Sequence, residues 1–83
     1  MNKTNIDSSK IKEENRKIRN LRFMVDLSLS LIADGNLTRE EAVEYFNRTK
    51  KYALNLFPGK EYVFELVYAP KFRRLITSIY GLN

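Results

Sequence analysis

Two pairs of glutamates have the spacing in this chain that is best suited to metal binding. Glu40 and Glu44 are four residues apart, as are Glu61 and Glu65, so on a helix the members of each pair share a face. Carboxylate oxygens are typical ligands of hard divalent cations such as Mg²⁺. Helical di-metal sites supplement their carboxylates with histidine, and the chain has no histidine. We therefore interpret both pairs as solvated helix faces and expect no metal or other cofactor.

Asp26 is the acid most open to a functional interpretation, because it interrupts the apolar segment 21–33. A buried carboxylate needs a partner, and Arg22 lies one helical turn before it. Ser28 and Ser30 are candidate nucleophiles, but a nucleophilic hydroxyl needs an activating base, and Asp26 is the one local candidate. We expect a structural pair between Arg22 and Asp26 and small packing positions at the serines. The alternative is a functional polar site inside the fold around Asp26.

The composition argues against several classes of enzyme. The chain has no cysteine and no histidine, which excludes thiolate chemistry and removes the usual general base near neutral pH. Glycine-rich phosphate-binding loops are also excluded, because the glycines are isolated from one another, at Gly35, Gly59 and Gly81. We therefore predict a non-enzymatic protein.

The apolar segment 21–33 is shorter than the roughly 20 residues that a membrane-spanning helix needs, so we expect a soluble protein without membrane contact. The lack of cysteine agrees with a reducing compartment. We therefore expect a cytoplasmic location.

Basic residues are concentrated toward the two ends of a chain whose formal net charge is +5. A basic helix face can follow the phosphates of a nucleic acid. The candidate contacts to such a polyanion are Arg16, Lys17, Arg19, Lys71, Arg73 and Arg74. Glu13 and Glu14 dilute the first group, and Glu61 and Glu65 dilute the second. A solvated basic surface is the simpler interpretation of the same residues.

Four β-branched residues recur at intervals of seven, namely Ile11, Ile18, Val25 and Ile32. Such residues are preferred at the a positions of two-stranded coiled coils. The d positions of the same register are only partly apolar, so we expect a looser helix–helix interface with a partner or a second copy. Its candidate residues are Ile11, Ile18 and Val25. The alternative is that Val25 and Ile32 belong to the core, which leaves the first two as minor surface residues.

The elements that position these residues are indicated most clearly around residues 34–38. Gly35 or Asn36 can adopt the left-handed conformation that ends a helix. Thr38 and Glu41 have the spacing of a capping box, which starts a new helix. The first helix is expected to begin at a cap among residues 7–9 and to end near Asp34, after a disordered tail at residues 1–6. The sequence thus predicts a helical hairpin.

Residues 21–32 and 62–68 also fit a different fold, because the first alternates between apolar and other residues and the second is rich in strand-favouring types. A two-stranded sheet is marginal by itself, and Leu and Met favour helix. We therefore prefer helix for both segments over a β-α-β-α order. Residues 21–32 would then form a helix that is apolar on most sides and buried centrally, while the polar first half of the helix projects.

Three further helices complete the predicted fold. The second runs from Arg39 to about Phe57, with a Glu44–Arg48 pair outside and an inner stripe of Ala42, Tyr45, Phe46, Thr49, Tyr52, Ala53 and Leu56. The third covers about residues 60–68 after the break at Pro58. The fourth starts at Pro70, carries Phe72, Leu75, Ile76 and Ile79 at helical spacing, and ends at Gly81.

The sequence therefore predicts one all-α domain over residues 1–83, a small three- to four-helix bundle with a long first helix. The predicted function is a non-enzymatic helical protein–protein interaction module, acting as a homodimer or as a subunit of a larger assembly. The alternative is a nucleic-acid-binding domain that uses the basic residues of the first and last helices.

Overall fold

The structure is a computed structural model that describes the backbone of residues 2–81 and the side chains of residues 9–81. This part of the chain forms four helices. Their bounds are α1 Asn2–Ala33, α2 Arg39–Leu56, α3 Glu61–Val67 and α4 Ala69–Tyr80. No strand occurs between residues 2 and 81, so the β-α-β-α alternative is excluded. The predicted all-α bundle with a long first helix is confirmed.

The hairpin between α1 and α2 has the predicted caps. Gly35 has φ +75°, the left-handed value that ends a helix, and its N–H donates to the Ile32 carbonyl at 3.1 Å. The Thr38 hydroxyl accepts from the Glu41 N–H at 3.1 Å, and the Glu41 carboxylate accepts from the Thr38 N–H at 2.8 Å. The capping box is therefore closed in both directions.

Two helix starts differ from the prediction. α1 begins at Asn2, so the predicted cap among residues 7–9 is wrong, because no proline or glycine interrupts the helical hydrogen bonds before Gly35. The predicted disorder of residues 1–6 stays a prediction, and Met1 and the side chains of residues 2–8 lie outside the described part. α4 begins at Ala69 rather than at Pro70, since a proline in the first turn lacks only an N–H that has no helical partner there.

The helices α1, α2 and α4 pack against one another, and α3 packs on α2 and α4. Only the second half of α1 joins this bundle: the side chains of residues 9–16 are all exposed, and burial begins at Leu21. The first half therefore projects, as predicted, and the molecule extends over 55 × 22 × 16 Å.

Aromatic rings link three of the helices in the core. The Phe46 ring of α2 lies 5.1 Å from the Phe72 ring of α4 and 5.9 Å from the Phe64 ring of α3, centroid to centroid. Tilted ring pairs at these distances are favourable. Phe72 is fully buried together with Val25 and Ile32 of α1.

The expectation that residues 21–32 of α1 are buried on most sides is wrong. Its buried positions form one stripe, Leu21, Val25, Ser28 and Ile32. Phe23 is 65% exposed and Leu27 is also exposed, because the other three helices lie on one side of α1. So short a chain cannot surround its own longest helix.

A buried hydroxyl pair joins α1 to α2. Ser28 and Thr49 lie 2.8 Å apart, oxygen to oxygen, and the Thr49 hydroxyl also donates to the Tyr45 carbonyl at 2.8 Å. Burial of polar groups is tolerated when they are hydrogen-bonded in this way. Ser28 is therefore the small packing position that the sequence predicted, whereas Ser30 is exposed.

Candidate partner-binding groove

An apolar groove of about 390 Å³ lies between α1 and α3, above the end of α2. Within the described backbone, no Cα atom of α3 comes within 8 Å of a Cα atom of α1. The gap has α1 as one wall, α3 as the other and α2 as its floor. Its lining consists of Ile18, Leu21, Arg22, Ala53, Leu54, Phe57, Lys60, Val63, Phe64, Val67 and Tyr68.

The turn between α2 and α3 sets the position of the second wall. Pro58 ends the helical pattern after α2, and Gly59 has φ +78°, which a residue with a Cβ atom rarely adopts. The chain then enters α3, a helix of seven residues. So short a helix can bury only one side, and Phe64 is the one residue of α3 that is buried.

Glu65 holds α3 against the bundle. Its carboxylate accepts hydrogen bonds from Lys50 of α2 at 2.9 Å and from Arg73 of α4 at 2.6 Å. The hydrogen bond from Arg73, and then that from Lys50, keeps the pKa of Glu65 below its ordinary value of 4.5. Glu65 is therefore a partly solvated acid, 35% exposed, that is paired with two cations rather than free.

The Glu44–Arg48 pair is present at 2.9 Å on the exposed face of α2, as predicted.

With Phe64 and Glu65 directed to the bundle, the remaining apolar side chains of α3 are left at the surface. Leu66 is 75% exposed and Val67 is 50% exposed, and Tyr62 and Val63 are exposed as well. Ile18 of α1 is exposed at the opposite wall. Apolar surface of this kind, collected around a concave site, is typical of binding sites.

The charges at the groove have one sign. Arg22 and Lys60 are among its lining residues, and none of the described lining residues is acidic. Lys17 adds a third cation at the border, because its ammonium lies 5.9 Å from the centroid of the Phe57 ring, a cation–π distance. The groove thus combines apolar surface with a positive rim, which suits binding rather than proton transfer.

The predicted interface residues are divided by the fold. Ile11 and Ile18 are exposed, whereas Val25 is 1% exposed and belongs to the core with Ile32. The heptad spacing therefore crosses from the projecting half of α1 into the bundle. Only Ile11 and Ile18 are accessible to a partner, and Ile18 lines the groove.

The predicted polyanion contacts stand on two helices. On α1, Arg16 and Arg19 are exposed, and Lys17 is half-buried against Phe57. On α4, Lys71 and Arg74 are exposed, and the third basic residue, Arg73, is held by Glu65.

Asp26 does not form the alternative, a functional polar site inside the fold. It is exposed, as is Arg22, and no ion pair joins the two among the described side chains. The predicted Arg22–Asp26 pair is therefore wrong, because a carboxylate in water does not require a partner. Arg22 is instead part of the groove lining.

The described residues contain no group of three or more acidic residues placed to hold a metal ion. None of their helices has both the length and the apolarity that crossing a membrane requires. Comparison with known proteins finds no family model, curated protein or solved structure that matches the chain.

Proposed function

We propose that this chain is a non-enzymatic helical protein–protein interaction module and that a protein partner docks in the groove. The observation that carries the proposal is the apolar groove of about 390 Å³ where α1 and α3 stand apart. Transfer of its lining from water to a partner's apolar surface is favourable. The cores of protein interfaces have the same character, apolar and aromatic with some arginine.

The lining supports binding more than catalysis. It offers aliphatic and aromatic side chains, two cations and one phenol, that of Tyr68. A partner or a second copy that fills the groove would also cover the exposed side chains of Val63 and Val67, the two exposed α3 residues in its lining. The lack of cysteine fits action in a reducing compartment, and we place the module in the cytoplasm on that ground.

The test compares two double variants that change the same helices. Ile18→Asn with Val67→Asn makes the groove polar. Leu27→Asn with Leu66→Asn is the matched control, because these residues are exposed on α1 and α3 but do not line the groove. Neither pair is buried, so both variants are expected to fold, which circular dichroism checks.

Each tagged protein is returned to its native cell, and co-purifying proteins are quantified by mass spectrometry while light scattering measures self-association. We expect a partner, or the second copy, to be retained by the wild type and the control and lost by the groove variant. Equal retention by the groove variant would contradict the proposal.

Nucleic-acid binding is the second candidate function. Lys71 and Arg74 are exposed one turn apart on α4, and neither takes part in an ion pair among the described side chains. The candidate predicts affinity for mixed oligonucleotides that falls steeply with salt and weakens in Lys71→Ala with Arg74→Ala. Fluorescence anisotropy at low salt that shows no binding would dismiss it.

A further inference from the structure

The groove is walled by two helices and floored by a third, so its shape selects the kind of partner. We propose that it binds an amphipathic helix of another protein, with apolar side chains in the groove and acidic side chains facing Arg22 and Lys60. This inference rests on the proposed function and names the chemistry of the partner.

Helical shape is the first argument. Packed helices lie about 8–10 Å apart, axis to axis, whereas α1 and α3 are separated beyond direct packing. An amphipathic helix that lies along a groove inserts residues at i, i+3, i+4 and i+7. Laid between α1 and α3, it would pack on both and on the floor formed by Ala53, Leu54 and Phe57.

The projecting half of α1 extends the same surface. Ile11 and Ile18 are seven residues apart, which places them on nearly the same face of α1, and both are exposed. From Ile11 to Arg22 the helix rises by about 16 Å, or three turns. A helix with few tertiary contacts is marginal in water, so a partner of roughly three to four turns would also stabilise this half.

Charge selects the partner further. The residues from Lys10 to Arg22 include six basic side chains and two acidic ones, and Lys60 is the cation of the opposite wall. Like charges across an interface are unfavourable, whereas complementary potentials steer association. A second copy would bring the same positive segment to the positive rim. An acidic helix from another protein complements it.

The test uses two synthetic peptides of about 15 residues with the same leucines at i, i+3, i+4 and i+7. The other positions are mostly glutamate in one peptide and mostly lysine in its match. Binding to the full chain is measured by fluorescence anisotropy at low salt. We expect the acidic peptide to bind about tenfold tighter than the lysine peptide. The acidic peptide forms two exposed ion pairs, with Arg22 and Lys60, where the lysine peptide is repelled.

A pair of charge-reversal variants locates the effect. Arg22→Glu with Lys60→Glu should abolish or invert the preference for the acidic peptide. Lys71→Glu with Arg74→Glu changes the net charge by the same amount on α4, and it should retain the preference. Equal loss in both variants would overturn the inference, because it would reflect net charge alone, and so would equal binding of the two peptides to the wild type.

The groove variant Ile18→Asn with Val67→Asn separates failure of this inference from failure of the proposed function. If this variant weakens the binding of both peptides equally while the wild type shows no charge preference, the groove binds partners but the proposal of an acidic partner helix is wrong. If it weakens neither peptide and loses no cellular partner, the proposed function also fails. A dimer that this variant disrupts would make the second copy the occupant and overturn the inference.

Discussion

Replacement of Thr49 by Val tests how α1 is joined to α2. The hydroxyl of Thr49 has one proton, and it donates that proton to the Tyr45 carbonyl at 2.8 Å. The 2.8 Å contact with Ser28 must therefore have Ser28 as the donor. Val has nearly the shape of Thr but no acceptor, so Thr49→Val leaves the Ser28 hydroxyl, in a residue only 5% exposed, without its partner.

The expected costs differ between the two sides of the pair. Thr49→Val should lower the free energy of unfolding by about 2 kcal/mol, the typical penalty of an unsatisfied buried donor. Ser28→Ala removes the donor itself, a net loss of about 1 kcal/mol that the better helix propensity of Ala reduces by about 0.5 kcal/mol. The double variant should cost less than Thr49→Val alone, because it leaves no unpaired donor.

Urea unfolding followed by circular dichroism at 222 nm measures these differences, and equal m-values would show that the same surface unfolds in each variant. Strong non-additivity is the expected result for residues in direct contact. The reasoning is refuted if Ser28→Ala is as costly as Thr49→Val and the double variant equals their sum.

Three other predictions concern the caps and the ion pairs of the bundle. Thr38→Ala should lower stability by about 1 kcal/mol in the same assay, because α2 loses its N-cap. Gly35→Ala should be destabilising by about 1 kcal/mol, since Ala is strained at positive φ, and Asn36→Ala nearby serves as its control. Glu65 has a lowered pKa in the folded protein, so its contribution to the free energy of unfolding is complete above about pH 4.5 and is lost as pH falls through the folded pKa. Glu65→Gln should therefore reduce the loss of stability in acid, which urea titrations at several pH values measure.

Local signals in the sequence account for the parts of the fold that could be predicted. The capping box and the left-handed glycine act through the backbone of their own neighbours, so Thr38, Glu41 and Gly35 fix the hairpin without reference to the rest of the chain. The inner stripe of α2 follows from helical periodicity in the same way. The helical character of these segments and their order along the chain can therefore be predicted from the sequence alone.

The groove could not be predicted, because it depends on the distance between α1 and α3 rather than on either sequence. The sequence did contain one signal of an exposed apolar surface. A seven-residue helix that buries one side cannot also bury Tyr62, Val63, Leu66 and Val67. The apolar half of α1 led to the opposite error, a prediction of too much burial, because Phe23 is exposed although it is apolar. Local sequence patterns do not indicate how many neighbouring helices cover a helix. Asp26 is exposed for the same reason as Phe23, because the other helices lie on one side of α1.

The most direct test of the account is a map of where a partner helix binds. Amide shifts of the ¹⁵N-labelled chain are recorded during titration with the acidic peptide. We predict that the largest changes fall on the groove, at Ile18, Leu54 and Val67, and that the outer face around Phe23 is unaffected. Changes confined to Lys71 and its neighbours on α4, or no changes at all, would contradict the claim that the groove is the binding site.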